Sequence, residues 1–177
     1  KVADYWEQVL IINEHQRNRF SEKLNECIKV HSLNNKVLLL GWSFKKNTND
    51  SRESAAIYVA NNLIKRGVSI DIYDPKVKDN QVHRDLSFIN VNYKKSLVNC
   101  INKPFINISE YNIISIMTEW DEFKDFDWEN VYTKIKKPAF IFDGRNILNA
   151  SKIYVIHSGK VLENGNHETL LKTSDTY

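Results

Sequence analysis

The sequence predicts an α/β fold, a three-layer sandwich built on a mainly parallel sheet and preceded by a long N-terminal helix. Three observations carry this expectation. Val37 to Leu40 is a continuous apolar run that ends at Gly41, which suits a strand covered on both faces. A helical stripe separates it from a second apolar run ending at Tyr73, and strand, helix, strand within about thirty-five residues is a right-handed parallel unit. Apolar residues at helical spacing fill the first segment of the chain.

The elements follow in order. Val2, Trp6, Val9, Leu10, Asn13, Phe20, Leu24 and Ile28 mark the N-terminal helix, which has no capping residue before its first turn and is expected to begin inside a longer element. After a break at His31 to Asn35 comes the first strand. Asp50 and Glu53 are spaced like a capping box, and Ala56, Ala60, Leu63 and Ile64 form the buried stripe of a helix stopping at Gly67. Val68 to Tyr73 is the second strand, closed by Asp74 and Pro75. The stretch from Lys76 to Glu110 is polar and reads as loops around one short helix near Asn80 to Leu86. Asn112 to Met117 is the third strand, and Thr118 is placed to cap a helix whose acidic residues favour its positive end. Asp127 to Ile135 is a further helix, Ala139 to Phe142 the fourth strand, and Ile153 to Ile156 a fifth that can supply the sheet's edge.

Composition narrows the function classes. A chain of 177 residues with 42% hydrophobic content can complete one α/β core, and a second full domain is not expected. Its 25 basic and 22 acidic residues are well mixed and give a formal charge of +3, with no dense basic block to suggest a nucleic-acid or membrane surface. Cys27 and Cys100 fit neither a zinc spacing nor a disulfide framework, so a reducing compartment is the natural reading. No apolar stretch approaches the roughly 20 residues needed to cross a bilayer, and a cytosolic protein or fragment is expected.

The loop from Gly41 to Ser54 carries the chemistry. A dinucleotide site needs Gly-x-Gly-x-x-Gly after the first strand, so that a pyrophosphate can approach the backbone and sit on the helix N-terminus. Only Gly41 is present, and Trp42, Ser43 and Phe44 are bulky. The topology is Rossmann-like without that cofactor site. Asp74 occupies the place of a ribose-binding acid, yet without the glycines it reads as a turn residue. The loop offers Phe44 to pack on a ligand and Lys45, Lys46 and Arg52 to neutralise phosphate, although the same charges suit a solvated basic loop. A second loop, Phe142 to Arg145, follows the fourth strand. Ligands of open parallel sheets bind outside the carboxyl ends of the strands, so Phe44, Lys45 and Arg145 can converge on one site. The alternative is a surface arginine paired with Asp143 or a neighbour.

Five motifs also carry a resemblance. They are Val2 to Trp6, the F-K-x-x-T-x-D-x-R-x-S pattern from Phe44 to Ser54, Tyr73-Asp74-Pro75, Thr118 to Phe123, and Lys137 to Arg145. In this order they resemble the UDP-glucose 6-dehydrogenases over residues 1 to 150. The resemblance implies the end of a central dimerisation helix at 1–33, a UDP-sugar-binding Rossmann-like domain at 34–157, and a divergent tail at 158–177. It implies that Phe44 and Lys45 contact UDP-glucose, that Arg145 reaches the sugar, and that Arg52 touches the pyrophosphate of NAD held mainly by a domain absent from this chain. Lys46, Thr48 and Asp50 match the motif as loop-shaping residues. The family oxidises the sugar's primary alcohol to a carboxylate through a cysteine that matches neither Cys27 nor Cys100, so no residue here is assigned a catalytic role and the chain alone is expected to be inactive. UDP-N-acetylmannosamine and GDP-mannose dehydrogenases share the architecture and remain alternatives.

The tail departs from that pattern. Ile153 to Leu171 resembles the closing segment of an ABC-transporter ATPase cassette, without its phosphate loop or signature motif. His157 and His167 have no third ligand and are expected to be solvated, so no metal site is assigned. Three readings follow: a UDP-sugar-binding domain of an NAD-dependent dehydrogenase, a homodimeric assembly module using the N-terminal helix, and a partner of a transporter.

Overall fold

The computed structural model describes residues 2–148, 153–157 and 160–165. They fall into two compact units, Lys1–Arg145 and Asn146–Tyr177. The first contains helix α1 (Val2–Val30), strand β1 (Lys36–Leu40), helix α2 (Ala55–Lys65), strand β2 (Ser69–Tyr73), helix α3 (Asp79–Ile89), strand β3 (Val98–Cys100), strand β4 (Ile113–Ile116), the short helices α4 (Asp121–Lys124) and α5 (Trp128–Lys134), and strand β5 (Phe140–Asp143). The second contains strands β6 (Ile153–His157) and β7 (Lys160–Gly165).

The five strands of the first unit form one sheet in the order β3-β2-β1-β4-β5, and every pair is parallel. Chain order reverses between β1 and β4, so the loops after these two strands flank the point where such sheets take ligands. β1 is apolar throughout its centre because both of its faces are covered. Val37 and Leu39 join Leu24 and Ile28 of α1, Leu63 and Ile64 of α2, and Val82 and Leu86 of α3 in the main core. Leu38 and Leu40 point the other way by strand alternation, in register with Ile114 and Ile116 of β4. On that face Phe123 of α4 packs against Tyr73 with ring centroids 6.1 Å apart.

The N-terminal helix is one element, as its spacing predicts, yet its two halves differ. Ser21, Leu24 and Ile28 are buried, and the Asn62 amide of α2 donates to Asn18 and Ser21. Trp6, Leu10, Ile11 and Ile12 are exposed.

Several local expectations change. β3 falls in the stretch read as loop: it is three residues long, and only Val98 is buried, too little for a period to show. Tyr154 to Ile156, expected at the edge of the main sheet, lie in β6, which pairs with β7 in an antiparallel sheet of its own. The cap of α2 is Ser54 rather than Asp50, its side chain accepting from the Ala56 N–H. The Thr118 hydroxyl donates to the Ser43 carbonyl instead of capping α4. His157 and His167, expected to be solvated, carry side chains outside the described residues.

Candidate functional site

The loop after β1 is a built platform. Gly41 has φ +93°, and a Cβ there would lie 2.5 Å from the Thr118 Cβ and 2.7 Å from its backbone nitrogen. Only glycine lets the β1 loop pass this close to the β4 loop. Trp42 is wholly buried and donates its indole N–H to Asp85 of α3 at 3.0 Å. Gln81 of the same helix donates to the Asn49 carbonyl and to the Ser51 hydroxyl, both at 2.7 Å. Between these anchors the Phe44 N–H closes on the Asp50 carbonyl at 2.7 Å. The segment from Phe44 to Asp50 is therefore a tight excursion fixed at both ends.

Asp74 is the largest departure from the sequence reading. Its Oδ1 accepts from the N–H groups of Lys76 and Val77, both at 2.9 Å, which is the expected turn. Its Oδ2 accepts from the Trp42 N–H at 2.7 Å, the Ser43 N–H at 3.0 Å and the Trp120 indole at 3.2 Å. One carboxylate thus ties together the ends of β1, β2 and β4. It also sits on the backbone N–H groups that follow Gly41, where a dinucleotide fold would place pyrophosphate. The Rossmann-like loop carries its own anion, and with Trp42 buried beside it the loop does not fit the pyrophosphate of NAD.

Arg145 reaches across β4 to this platform. Its Nε donates to the Met117 carbonyl at 2.8 Å and its Nη2 to the Phe44 carbonyl at 3.0 Å. Its side chain is one-third exposed, and its Nε lies 3.3 Å from Oε2 of Glu119. The other oxygen of Glu119 accepts from the Lys46 N–H at 3.3 Å. Phe44, Lys46, Glu119 and Arg145 thereby close a ring around Lys45. Phe44 is half exposed and Lys45 exposed, so ring and ammonium both face out of the platform.

The structure therefore brings Phe44, Lys45 and Arg145 together. Of the alternative reading, in which Arg145 pairs with Asp143 or a neighbour, the structure shows the Arg145 backbone N–H donating to Asp143 at 3.0 Å and its guanidinium beside Glu119. Arg52 stands apart from the ring. Its guanidinium bonds Asp50 at 2.7 Å, is 88% exposed, and holds the Asp50 carboxyl down at about 2. Lys46 and Thr48 shape the loop: the Lys46 ammonium lies 2.8 Å from Asp121 and lowers its pKa, and the Thr48 hydroxyl accepts from the Asp50 N–H at 3.1 Å. Burial pushes the Cys27 thiol up to about 11 and, with an Asp79 hydrogen bond added, the Cys100 thiol to about 12. Both thiols stay protonated at neutral pH, the opposite of an activated nucleophile. Among the described residues no group of three His, Cys, Asp or Glu side chains could hold a metal ion.

A cavity of about 490 Å³ opens beside the ends of β2 and β3, lined by Asp74, Lys76, Lys78, Asp79 and Cys100 among others. None of Phe44, Lys45 and Arg145 lines it.

Comparison with known proteins identifies what this arrangement resembles. The sequence profile of the UDP-glucose/GDP-mannose dehydrogenase family, UDP binding domain, matches residues 38–150. UDP-glucose 6-dehydrogenase of Drosophila melanogaster is 41% identical over 160 residues, covering 88% of this chain and 34% of the fly protein. UDP-glucose 6-dehydrogenase 4 of Arabidopsis thaliana is 37% identical over 180 residues, covering 92% of this chain and 38% of the plant protein. The chain thus spans about a third of the length of the curated relatives it matches. Among solved structures, a UDP-glucose dehydrogenase from Pyrobaculum islandicum superposes with a TM-score of 0.57 at 23% identity, over 78% of this chain and 28% of that one. A UDP-D-ManNAc dehydrogenase from Pyrococcus horikoshii gives 0.59 at 22% identity, over 78% and 29%. These two support the fold. The resemblance of the tail to a transporter cassette is not borne out: the matched profile ends at residue 150, and the proteins matched are dehydrogenases.

Proposed function

The chain belongs to the UDP-glucose/GDP-mannose dehydrogenase family and is its UDP-binding domain, and on that premise we propose that it holds UDP-glucose for a dehydrogenase that oxidises the sugar to UDP-glucuronate with NAD. The observation that supports this reading is the meeting of the Phe44–Lys46 loop with Arg145 across the switch point of the sheet. Phe44 offers an aromatic face, Lys45 a compact positive charge, and Arg145 a guanidinium fork with donors to spare, a set suited to a nucleoside diphosphate and the hydroxyls of its sugar.

The NAD part of the reaction lies beyond this chain. Bound NAD would accept a hydride, and the Gly41 loop, filled by Asp74 and Trp42, does not take it. Arg52, exposed on the outer side of the loop, is placed to meet a phosphate presented by another domain. The isolated chain is accordingly expected to bind nucleotide sugar and to lack dehydrogenase activity.

Calorimetry on the full chain tests the reading. UDP and UDP-glucose should both bind, and Lys45→Ala and Arg145→Ala should each weaken binding about 10- to 100-fold, the worth of a charge-assisted hydrogen bond of about 1.5–3 kcal/mol. Undetectable heat with either nucleotide would refute it.

A second role rests on a separate observation. The exposed Trp6, Leu10, Ile11 and Ile12 give α1 an apolar surface that suits homodimerisation. Sedimentation showing only monomer at tens of micromolar would remove it. No helix among the described residues is long and apolar enough to cross a membrane. Cys27 and Cys100 are free thiols, which supports the reading of a reducing, cytoplasmic setting.

A further inference from the structure

Glu119 is out of place by charge alone. A site that gathers Lys45 and Arg145 for a nucleoside diphosphate is weakened by a carboxylate beside the arginine, since like charges repel and the guanidinium must be shared. Yet Glu119 sits at the centre of the assembly. Its Oε1 accepts from the Lys46 N–H and its Oε2 lies 3.3 Å from Arg145 Nε. Arg145 in turn donates from Nη2 to the Phe44 carbonyl at 3.0 Å. The peptide carrying Lys45 is therefore held on its N-terminal side by Arg145 and on its C-terminal side by Glu119, and the two holders are joined to each other. The Lys45 side chain is left out of the ring, where it can meet a ligand.

We propose that Glu119 is a positioning residue for the nucleotide-sugar site, fixing the Lys45 peptide and the Arg145 guanidinium relative to one another before the ligand arrives. This rests on the reading that Phe44, Lys45 and Arg145 bind the nucleotide sugar. Three features make the role physical. The side chain of Glu119 is about one-third exposed, so the pair is neither a fully solvated ion pair of little worth nor a buried one that would have to neutralise. The β4 loop that bears it is pinned on its other side, with Thr118 bonded to Ser43 and Trp120 to Asp74, so the carboxylate starts from a fixed backbone. Arg145 gives its Nε to the Met117 carbonyl and one Nη2 hydrogen to the Phe44 carbonyl, so the guanidinium is anchored with other N–H donors available to a ligand. Preorganisation of this kind raises affinity by lowering the ordering cost at the moment of binding.

The proposal gives a sign that an electrostatic bystander does not. Removing a negative charge beside an anion site should tighten UDP binding if Glu119 only opposes the ligand. Removing a positioning group should weaken it. On the full chain, Glu119→Ala should bind UDP about tenfold more weakly than wild type, and Glu119→Gln, which retains an acceptor for Lys46 N–H but turns an NH₂ toward Arg145, should fall between. The two effects should not add: in an Arg145→Ala background, Glu119→Ala should change affinity by less than about twofold, because the ring is already open. Without ligand, hydrogen exchange at the Lys46 amide should accelerate in Glu119→Ala. Thermal melting establishes that each variant is folded, and Glu119→Gln decides the matter if the alanine variant is not. Tighter or unchanged UDP binding in a folded variant, or full additivity with Arg145→Ala, overturns the positioning role while leaving the site intact. A wild-type chain that takes up no UDP overturns the site, and the positioning role with it.

Discussion

Replacing Asp74 with asparagine separates a turn residue from an anchor. The carboxylate accepts five N–H groups, three on Oδ2 from Trp42, Ser43 and Trp120 and two on Oδ1 from Lys76 and Val77. Asparagine keeps one acceptor oxygen and turns an NH₂ toward the other set. Whichever way the amide is placed, at least two N–H groups face a donor. The cheaper choice keeps the oxygen on Trp42 and Ser43 and sacrifices Lys76 and Val77, because Lys76 is exposed and water can serve its N–H. With an unsatisfied donor costing about 1–3 kcal/mol when buried and less when wet, Asp74→Asn should lose about 2 kcal/mol of stability. In urea, where a small protein's slope is about 1–3 kcal/mol per molar, that is a midpoint lower by about 1 M. Asp74→Ala, which abandons both sets, should lose about 4 kcal/mol or more. If Asp74→Asn unfolds within about 0.5 kcal/mol of wild type, the residue is an ordinary turn aspartate and the three-strand tie is not a stabilising feature.

Other positions extend the test. Gly41 and Gly67 both have positive φ, but a Cβ on Gly41 would press on the Thr118 backbone whereas one on Gly67 meets nothing within 4 Å. Gly67→Ala should therefore cost about 1–2 kcal/mol from conformation alone, and Gly41→Ala at least about 3, by urea unfolding; equal losses would count against the close approach. Ser43 is buried with a hydroxyl that has no hydrogen-bond partner among the described residues, so Ser43→Ala should be neutral or stabilising by up to about 1 kcal/mol, and a loss above that would reveal a hidden partner. Asp50 is held at about 2 by Arg52, so its pairing contributes at pH values above the usual carboxylate range and is lost as pH falls toward that value. A carboxyl NMR titration should place the Asp50 midpoint near there and show it rising in Arg52→Gln; an unchanged midpoint would mean the pair does not persist in solution.

Much of the fold was legible because the central strands are covered on both faces. Val37 to Leu40 reads as an unbroken apolar run, Ile113 to Met117 as one interrupted by a single serine, Ser115, and the α2 stripe reads at a helical period. β3 did not read, because a three-residue edge strand with one buried side chain has no period. The caps misled for a different reason. Asp50 and Glu53 have capping-box spacing, but Asp50 is drawn to Arg52 two residues on, and Ser54 is the residue whose backbone enters the helix. Thr118 looked like a cap, and its hydroxyl instead serves the loop that Gly41 brings against it. In the site, the meeting of Phe44 with Arg145 followed from the rule for the carboxyl ends of parallel strands. Asp74 and Glu119 did not follow from any pattern, because both act on backbone N–H groups of a distant loop, and which loop lies over which strand end is settled only by the folded sheet.

Amide NMR of the full chain during titration with UDP-glucose tests the central claim most directly, since it reports where the ligand sits as well as whether it binds. The signals of Phe44 to Lys46, Glu119 and Arg145 should move together and saturate, while those of Lys78, Asp79 and Cys100 beside the β2–β3 cavity stay in place. Movement confined to the cavity residues, or no saturable movement in either group, would contradict it.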